Sequence, residues 1–175
     1  MDRRKRGKND KRVQELQTTI SQAFQSHLFT HLYPRSSISI SLHILSLDGG
    51  LLAACLNAAT LALVDAGVPM PSILAAISSG NITPTDDALA KSATVLDLNN
   101  VEEQELPFLA IATVVGDQEE EDNVSVLVME SRIPVGGTNN KLEGMLAVGV
   151  DGCKQVRKIM EDAIRQHGAK IMRGK

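Results

Sequence analysis

The chain has 175 residues, of which 43% are hydrophobic and 22% charged, the size and composition of one soluble domain with a single core. Aromatic residues make up only 2%, which argues against an RNA-binding platform of stacked rings, so any contact with nucleic acid is expected to be electrostatic. The net charge of -3 is unevenly distributed, because residues 1–12 carry +5 and the remaining residues carry -8. This basic head predicts a contact with phosphate groups or a nuclear targeting signal. The alternative is a solvated, disordered tail.

The first half of the chain predicts helix, strand, turn and helix. Apolar residues recur every three or four positions from Val13 to Leu32, as on one face of a helix, and Pro34 ends it. The stretch "SSISISLHIL" (36–45) alternates apolar and polar residues, which predicts a strand with one buried face. A turn at 48–50 follows, and then a central helix to about Ala66 that is rich in small residues.

The second half predicts four short strands and a closing helix. "SILAAIS" and "ATVLDL" are expected to be buried strands with a polar loop between them, and "PFLAIATVVG" and "NVSVLVMES" to form a hairpin around the acidic connector "DQEEED". A final helix is predicted over 139–170, with an inner face of Leu142, Met145, Leu146, Gly149, Cys153, Val156, Ile159, Met160 and Ala163. This order predicts an α/β or α+β sandwich without internal repeats.

The sequence favours an intracellular protein that makes no contact with a membrane. Cys55 and Cys153 stand alone, in no metal-ligand or disulfide pattern, which fits a reducing compartment. No apolar segment follows the basic N-terminus as in a secretory signal. The least polar stretch, residues 50–64, is interrupted by Asn57 and Thr60 and is too short to cross a bilayer.

The turn "DGG" leads into a helix, and a Gly-Gly turn at a helix N-terminus is a potential anion site because free N–H groups and the helix dipole converge there. The residues that follow Gly50 are Leu51 and Leu52, which have no hydrogen-bond donor on their side chains. The motif also lacks the G-K-[ST] of a P-loop and the later glycines of a dinucleotide-binding turn. From these residues alone it is a tight strand-to-helix turn.

Acidic residues follow the predicted strand "ATVLDL". Asp97, Glu102 and Glu103 could bind a metal or act as general acid and base, and they could equally be solvated turn residues. His27 and His31 are spaced i and i+4 on the first helix, but without the glutamate of an H-E-x-x-H motif they are interpreted as surface or interface histidines, and no metal site is predicted.

Lys11 and Arg12 lie at the predicted start of the first helix. Two adjacent cations there oppose the helix dipole, and a bound phosphate would relieve this conflict. The alternative is a fraying tail.

Five stretches together resemble the RNase PH family: "KRVQEL", "LYPRSSISISLHIL", "LDGGLLAACLNAATLALVDAGVPM", "VLDLNNVEEQE" and "EGMLAVGVDGCKQVRKIMEDAI". The resemblance covers nearly all of the chain from about Lys11. Within the family, the chain is most similar to the eukaryotic, fungal-type RNA exosome ring subunit that corresponds to the catalytic RNase PH-like subunit of archaea. It implies an α+β RNase PH-like sandwich, of the ribosomal protein S5 domain 2-like type, and six such domains in a ring around an RNA channel.

The resemblance also implies that the fold is incomplete at its N-terminus. Family members carry further strands ahead of "DKRVQEL", so the chain is expected to be a fragment or to have the head "MDRRKRGKN" in their place. The expected organisation is therefore a basic head over residues 1–12 and a partial RNase PH-like domain over residues 13–175.

The resemblance gives these candidate residues their expected roles. Phosphorolysis must hold phosphate against a phosphodiester, which requires cations and donors to neutralise the two anions. Arg12 matches the family's upstream phosphate-site arginine, whereas Leu51 and Leu52 stand where active members have Thr-Arg or a similar donor pair after Gly50. Asp97 matches the first catalytic aspartate, and Glu103 stands in place of the second. The phosphate site is therefore expected to be degenerate and the catalytic acids vestigial.

The implied function is that of a non-catalytic exosome ring subunit, without cofactor, that threads RNA in 3′-to-5′ rRNA processing and mRNA turnover. Its expected partners are other RNase PH-like ring subunits, S1/KH cap subunits, a separate hydrolytic nuclease and single-stranded RNA, the last at Lys11 and Arg12. Its expected locations are the nucleus, the nucleolus and the cytoplasm. The alternative is an active phosphate-dependent 3′-to-5′ exoribonuclease, and a third possibility is a small α/β protein unrelated to RNA.

Overall fold

The computed structural model describes residues 11–82, 93–116, 122–129 and 141–174. Its helices are α1 (Lys11–His27), a 3-10 helix (Thr30–Leu32), α2 (Leu51–Asp65), α3 (Asn100–Glu105) and α4 (Lys141–Arg173). Its strands are β1 (Ala75–Ile82), β2 (Ala93–Leu96), β3 (Phe108–Val115) and β4 (Asp122–Met129). The predicted α+β class is confirmed. Residues 1–10 of the predicted basic head (1–12) and most of the acidic connector lie outside the described residues.

The four strands form one antiparallel sheet in the order β2-β1-β3-β4. Helices α1 and α2 pack on one face of this sheet and α4 packs on the other. The central strand β3 is buried from both sides: Ala110 and Ala112 belong to the α1/α2 core, and Leu109 and Ile111 to the α4 core. The continuous apolar run of this strand is therefore explained by burial on both faces.

A side-chain amide fixes α2 to the sheet. The Asn57 Nδ2 donates to the Ala76 carbonyl at 2.8 Å, and the Asn57 Oδ1 accepts from the Ala76 N–H at 2.8 Å. The N–H and the carbonyl of Ala76 are thus both bonded, as they would be to a neighbouring strand. Strand β2 does not reach Ala76, because its pairing with β1 begins only at Ser79. Asn57, which looked like an interruption of an apolar helix, is a structural bridge.

The inner face of α4 agrees with the sequence prediction in part. Met145, Cys153 and Met160 are buried, but Ile159 is 68% exposed and Ala163 is also exposed, so these two assignments were wrong. Arg157 was not predicted on this inner face, yet it is only 7% exposed and belongs to it. Arg157 lies four residues after Cys153 and three before Met160, the spacing of one helix face, so a count of apolar residues alone missed it.

Arg157 makes two polar contacts that join α4 to the sheet. Its Nη1 donates to Asp122 Oδ1 at 2.7 Å and its Nη2 donates to Thr113 Oγ1 at 2.7 Å. The Arg157 and Asp122 side chains are 8% and 6% exposed, which makes this a buried ion pair. The Asp122 Oδ2 and the Arg157 Nε have no hydrogen-bond partner among the described residues, so the pair depends on these two contacts.

The segment "SSISISLHIL" was predicted as a strand, and that prediction is wrong. Residues 36–45 lie outside every strand of the described chain. Its alternation is nevertheless real, because Ile40 and Leu42 are partly buried against the α1/α2 core while the intervening residues are exposed. Period-two alternation reports which side faces the core, whereas a strand also needs a partner for its backbone groups.

The helices differ from the prediction at two places in the chain. Helix α1 ends at His27 rather than Leu32, and the 3-10 helix follows it before Pro34. Helix α3 was not predicted. It starts at a capping box in which the Asn99 side chain accepts from the Glu102 N–H and the Glu102 carboxylate accepts from the Asn99 N–H. No helix in the described part of the chain is long and apolar enough to cross a membrane.

We expect Arg157→Met to lower the free energy of unfolding by about 3–5 kcal/mol, because it leaves the Asp122 carboxylate buried without a counter-charge. Urea unfolding measures this loss. The matched control is Arg165→Met on the same helix, whose ion pairs are exposed and should contribute about 0–1 kcal/mol. The double variant Arg157→Met/Asp122→Leu should recover much of the loss; equal losses at Arg157 and Arg165 would contradict the buried-pair interpretation.

Candidate anion site at the start of helix α2

The Gly-Gly turn before α2 is fixed by a close backbone contact. Gly49 and Gly50 have φ of 89° and 58°, a region that favours glycine. A Cβ on Gly49 would stand 2.2 Å from the Leu98 carbonyl oxygen, so no larger residue fits. The turn is thereby pressed against the chain that follows β2, and Gly50 becomes the N-cap of α2.

A carboxylate of the protein occupies the start of α2. The Glu103 Oε1 accepts a hydrogen bond from the Gly50 N–H at 2.7 Å. Asp48, just before the turn, makes the reciprocal contact: its Oδ1 accepts from the Asn100 N–H of α3 at 3.4 Å. A negative charge at a helix N-terminus is stabilised by the helix dipole, and a charge-assisted hydrogen bond is stronger than a neutral one. Glu103 therefore takes the place that an external anion would take.

Asp97 lies beside the same turn. It is exposed and has a φ of 57°, which is uncommon for a residue with a side chain. Its N–H donates to the Ser78 carbonyl at 2.9 Å, and its Oδ1 lies 3.8 Å from where a Cβ on Gly50 would stand. The buried Ser78 also accepts from the Leu98 N–H at 3.1 Å through its Oγ. The structure thus brings Asp97, Glu103 and Gly50 together.

Leu51 and Leu52 differ in their surroundings. Leu51 is half-buried, whereas Leu52 is 8% exposed and belongs to the α1/α2 core. Both line the cavity described below, and neither side chain can donate a hydrogen bond. An arginine at 52 would have to place a charge against that core, which costs free energy unless it is paired.

A cavity of about 560 Å³ opens beside the turn. Lys11 and Arg12 from the first turn of α1 line it with Gly50 and Glu103, so the candidate RNA-binding cations do meet the candidate anion site. Sequence reasoning did not identify the other lining residues because they belong to no motif: Glu15, Leu16, Thr19, Ala53, Ser78, Phe108, Ala110 and Val128. Glu15, one turn from Arg12 on α1, makes the wall mixed in charge.

His27 was interpreted as a surface or interface histidine, which is wrong. It is 8% exposed, and its Nε2 lies 2.6 Å from the Ser72 carbonyl oxygen, so it joins α1 to the chain before β1. His31 is exposed as expected. The described residues contain no group of three or more His, Cys, Asp or Glu side chains that could hold a metal ion.

The two cysteines are free, and burial changes their chemistry. Burial raises the pKa of the Cys153 thiol and that of the half-buried Cys55 thiol above the usual value for cysteine. A raised pKa keeps a thiol protonated at neutral pH, and the protonated thiol is a poor nucleophile.

Comparisons with known proteins find relatives that are named as exosome components. Residues 1–69 match the family model described as the 3′ exoribonuclease family, domain 1. The chain is 35% identical to exosome complex component SKI6 of Saccharomyces cerevisiae over 93% of its own length, and 34% identical to human exosome complex component RRP41 over 95%. It spans about three fifths of the length of these curated relatives, 60% and 62% respectively.

A solved structure shows the same fold. The chain superposes on the crystal structure of rice (Oryza sativa) Rrp46 with a TM-score of 0.73, covering 91% of this chain and 68% of that one. The sequence identity is 22%, so this likeness concerns the fold.

We expect Glu103→Ala to lower the free energy of unfolding by about 1–2 kcal/mol, because it removes a charge-assisted bond from the start of α2 while alanine still suits helix α3. Urea unfolding is the measurement. Glu105→Ala, a change of the same size at an exposed position of the same helix, is the control and should leave stability nearly unchanged. Equal effects of the two changes would mean that the Gly50–Glu103 bond does not form in solution.

Proposed function

The chain is an RNase PH-type protein, by its fold and by the match of its first 69 residues to the 3′ exoribonuclease family, and on that premise we propose that it acts as a non-catalytic ring subunit of the RNA exosome. The resemblance first indicated by its motifs is confirmed. In this role the chain positions RNA for 3′-to-5′ processing and degradation, including rRNA processing and mRNA turnover, and leaves bond cleavage to another subunit.

The observation that carries the non-catalytic role is the Glu103 carboxylate at the start of α2. Inorganic phosphate and a phosphodiester are both anions, so a phosphorolytic site must present positive charge and donors to them. Here a fixed negative charge takes the Gly50 N–H, and the next two side chains are leucines. A phosphate in this position would meet the like charge of the Glu103 carboxylate, which already accepts from the Gly50 N–H at 2.7 Å.

The remaining cations suit a single strand of RNA that passes the cavity. Lys11 and Arg12 are exposed and lie at its wall. Phe108 also lines the cavity, but it is 9% exposed and so offers little ring surface for stacking bases. Contacts to RNA phosphates by Lys11 and Arg12 would therefore provide affinity without sequence preference.

The relatives are named exosome complex components, which supports assembly of this chain with other subunits of that complex. The partners that we propose are other RNase PH-like ring subunits, S1/KH cap subunits, a hydrolytic exosome nuclease and single-stranded RNA. The proposed locations are the nucleus, the nucleolus and the cytoplasm. The proposed organisation is a basic head over residues 1–12 followed by a partial RNase PH-like domain over residues 13–175.

One observation favours the alternative, an active phosphate-dependent exoribonuclease. The exposed Asp97 carboxylate stands beside Gly50, and Gly50 and Ser78 line the cavity together with Lys11 and Arg12. A general acid could act there if a neighbouring subunit supplied the missing phosphate donors.

We expect no phosphate-dependent decay of RNA by the chain, alone or purified with its native partners. Single-stranded RNA incubated with inorganic phosphate should release no nucleoside diphosphates, measured by chromatography of the products. Asp97→Ala is the matched control for contaminating activity. Diphosphate release that requires phosphate and disappears in Asp97→Ala would establish the alternative.

We expect Lys11→Glu/Arg12→Glu to weaken RNA binding in the assembled ring with little change in sequence preference. Each lost phosphate contact should reduce the slope of log affinity against log salt by roughly 0.7 for a single strand. The measurement is a salt titration of binding, together with the length of RNA that the ring protects from nuclease.

The control for that charge reversal is Lys154→Glu/Lys158→Glu, two exposed lysines on α4, which packs on the opposite face of the sheet. It changes the net charge equally at a distance from the cavity. An unchanged slope and protected length for the variant at 11 and 12, in an intact ring, would remove the case for direct RNA contact there.

A further inference from the structure

The Asp48–Gly49 link is chemically reactive because of the two residues that form it. The backbone nitrogen of the residue after an aspartate can attack the aspartate side-chain carbonyl carbon, and glycine hinders this attack least because it has no side chain. The chain has two such links, Asp48–Gly49 before α2 and Asp151–Gly152 inside α4. Any difference in their reactivity must therefore come from the fold.

The two links differ in how their reacting groups are held. Gly152 is buried in the middle of α4, where its N–H is bonded along the helix. The Gly49 N–H, in contrast, has no hydrogen-bond partner among the described residues. The exposed Asp48 carboxylate accepts from the Asn100 N–H at 3.4 Å, which is a long and weak hydrogen bond. The nitrogen and the carboxyl group are thus available at the first link and not at the second.

The folded turn nevertheless restrains the Asp48–Gly49 link. Gly49 is pressed against the Leu98 carbonyl, and its own position has no room for an added atom on that side. The next N–H along the chain, that of Gly50, is bonded to the Glu103 carboxylate at 2.7 Å. Ring closure pulls the Gly49 nitrogen towards the Asp48 side chain and so must move Gly49. The reaction therefore requires a locally open turn, in which the Gly50–Glu103 bond is broken.

We propose that Asp48 is a site of spontaneous isomerisation to isoaspartate, and that Glu103 sets its rate by holding the turn closed. The Gly49 nitrogen bonds to the Asp48 Cγ, and the carboxyl OH leaves as water with the proton of that nitrogen. Water then opens the succinimide ring at its α-carbonyl, so that the chain continues through the side-chain carbon. One water is lost and one is gained, and no other reactant is needed. This chemistry does not depend on the proposed exosome role.

The product does not fit the native turn. Isoaspartate adds one methylene to the backbone between positions 48 and 49, where Gly49 already touches the backbone of Leu98 and Asn99. The longer link displaces Gly50 from Glu103, so the reaction removes the bond that restrained it. The start of α2 then loses its carboxylate. Isomerised chains should therefore unfold at a lower urea concentration than unmodified chains.

The test is to age the full chain at neutral pH and to measure isoaspartate at positions 48 and 151 by peptide mapping. Enzymatic methylation by an isoaspartyl methyltransferase confirms the product. In the chain unfolded by urea both links should react at similar rates. In the folded chain position 48 should react more slowly than in urea, and position 151 should stay at background. Glu103→Ala should raise the rate at position 48 by about 5–30-fold, the effect of one to two kcal/mol on an opening equilibrium, and leave position 151 unchanged.

Three variants serve as controls. Glu105→Ala, at an exposed position of the same helix, should not change the rate. Asp48→Glu keeps a carboxylate but would need a six-membered ring, so it should abolish the reaction. Glu103→Gln keeps an acceptor for the Gly50 N–H without the charge, so its rate should lie between those of the wild type and Glu103→Ala.

Several results would overturn the proposal. Equal rates at position 48 in the wild type and in both Glu103 variants would show that the Gly50–Glu103 bond does not control the reaction. A parallel rise at position 151 would assign the effect to global unfolding. Absence of isoaspartate at position 48 in Glu103→Ala, or in the unfolded chain, would show that the link is not reactive.

Discussion

The contact between the Gly-Gly turn and the chain after β2 is the constraint on which the candidate site depends. Gly49 has no room for a Cβ because the Leu98 carbonyl stands 2.2 Å from its position. This closeness brings the starts of two helices together: Glu103 of α3 bonds to Gly50, and Asp48 beside α2 bonds to Asn100. The start of α2 is thus bonded to a carboxylate from α3, and the start of α3 is bonded to a carboxylate from the residues just before α2. A turn that could serve an external anion is used to hold the protein's own elements in place.

The core explains why these contacts can be close. Alanines on β3 and on α2 let the helix approach the sheet, and Asn57 then completes the backbone bonding of Ala76. On the other face, Arg157 joins α4 to β3 and β4 through Thr113 and Asp122. Two polar bridges of this kind, one on each face, fix the positions of helices whose apolar contacts alone would permit some sliding. The position of Gly50, the N-cap of α2, therefore depends on the Asn57 bonds that fix α2 to the sheet.

Much of the architecture could be predicted from local pattern. The strands around Ile77 and Ile111 and the long helix through Met145 and Cys153 follow apolar runs and helical spacing, and the turn at Gly50 follows from its two glycines. The prediction also placed Asp97 and Glu103 near that turn, but through the family resemblance and not through geometry.

What pattern could not supply were the contacts between distant residues. The Glu103 bond to Gly50 spans 53 positions in sequence, and the bond between Arg157 and Asp122 spans 35, so no local signal contains them. A signal existed for two of the polar bridges, since Asn57 and Arg157 each interrupt an otherwise apolar helix face. The strand predicted over 36–45 failed for the opposite reason: its pattern describes a buried face correctly, yet pairing requires a second strand.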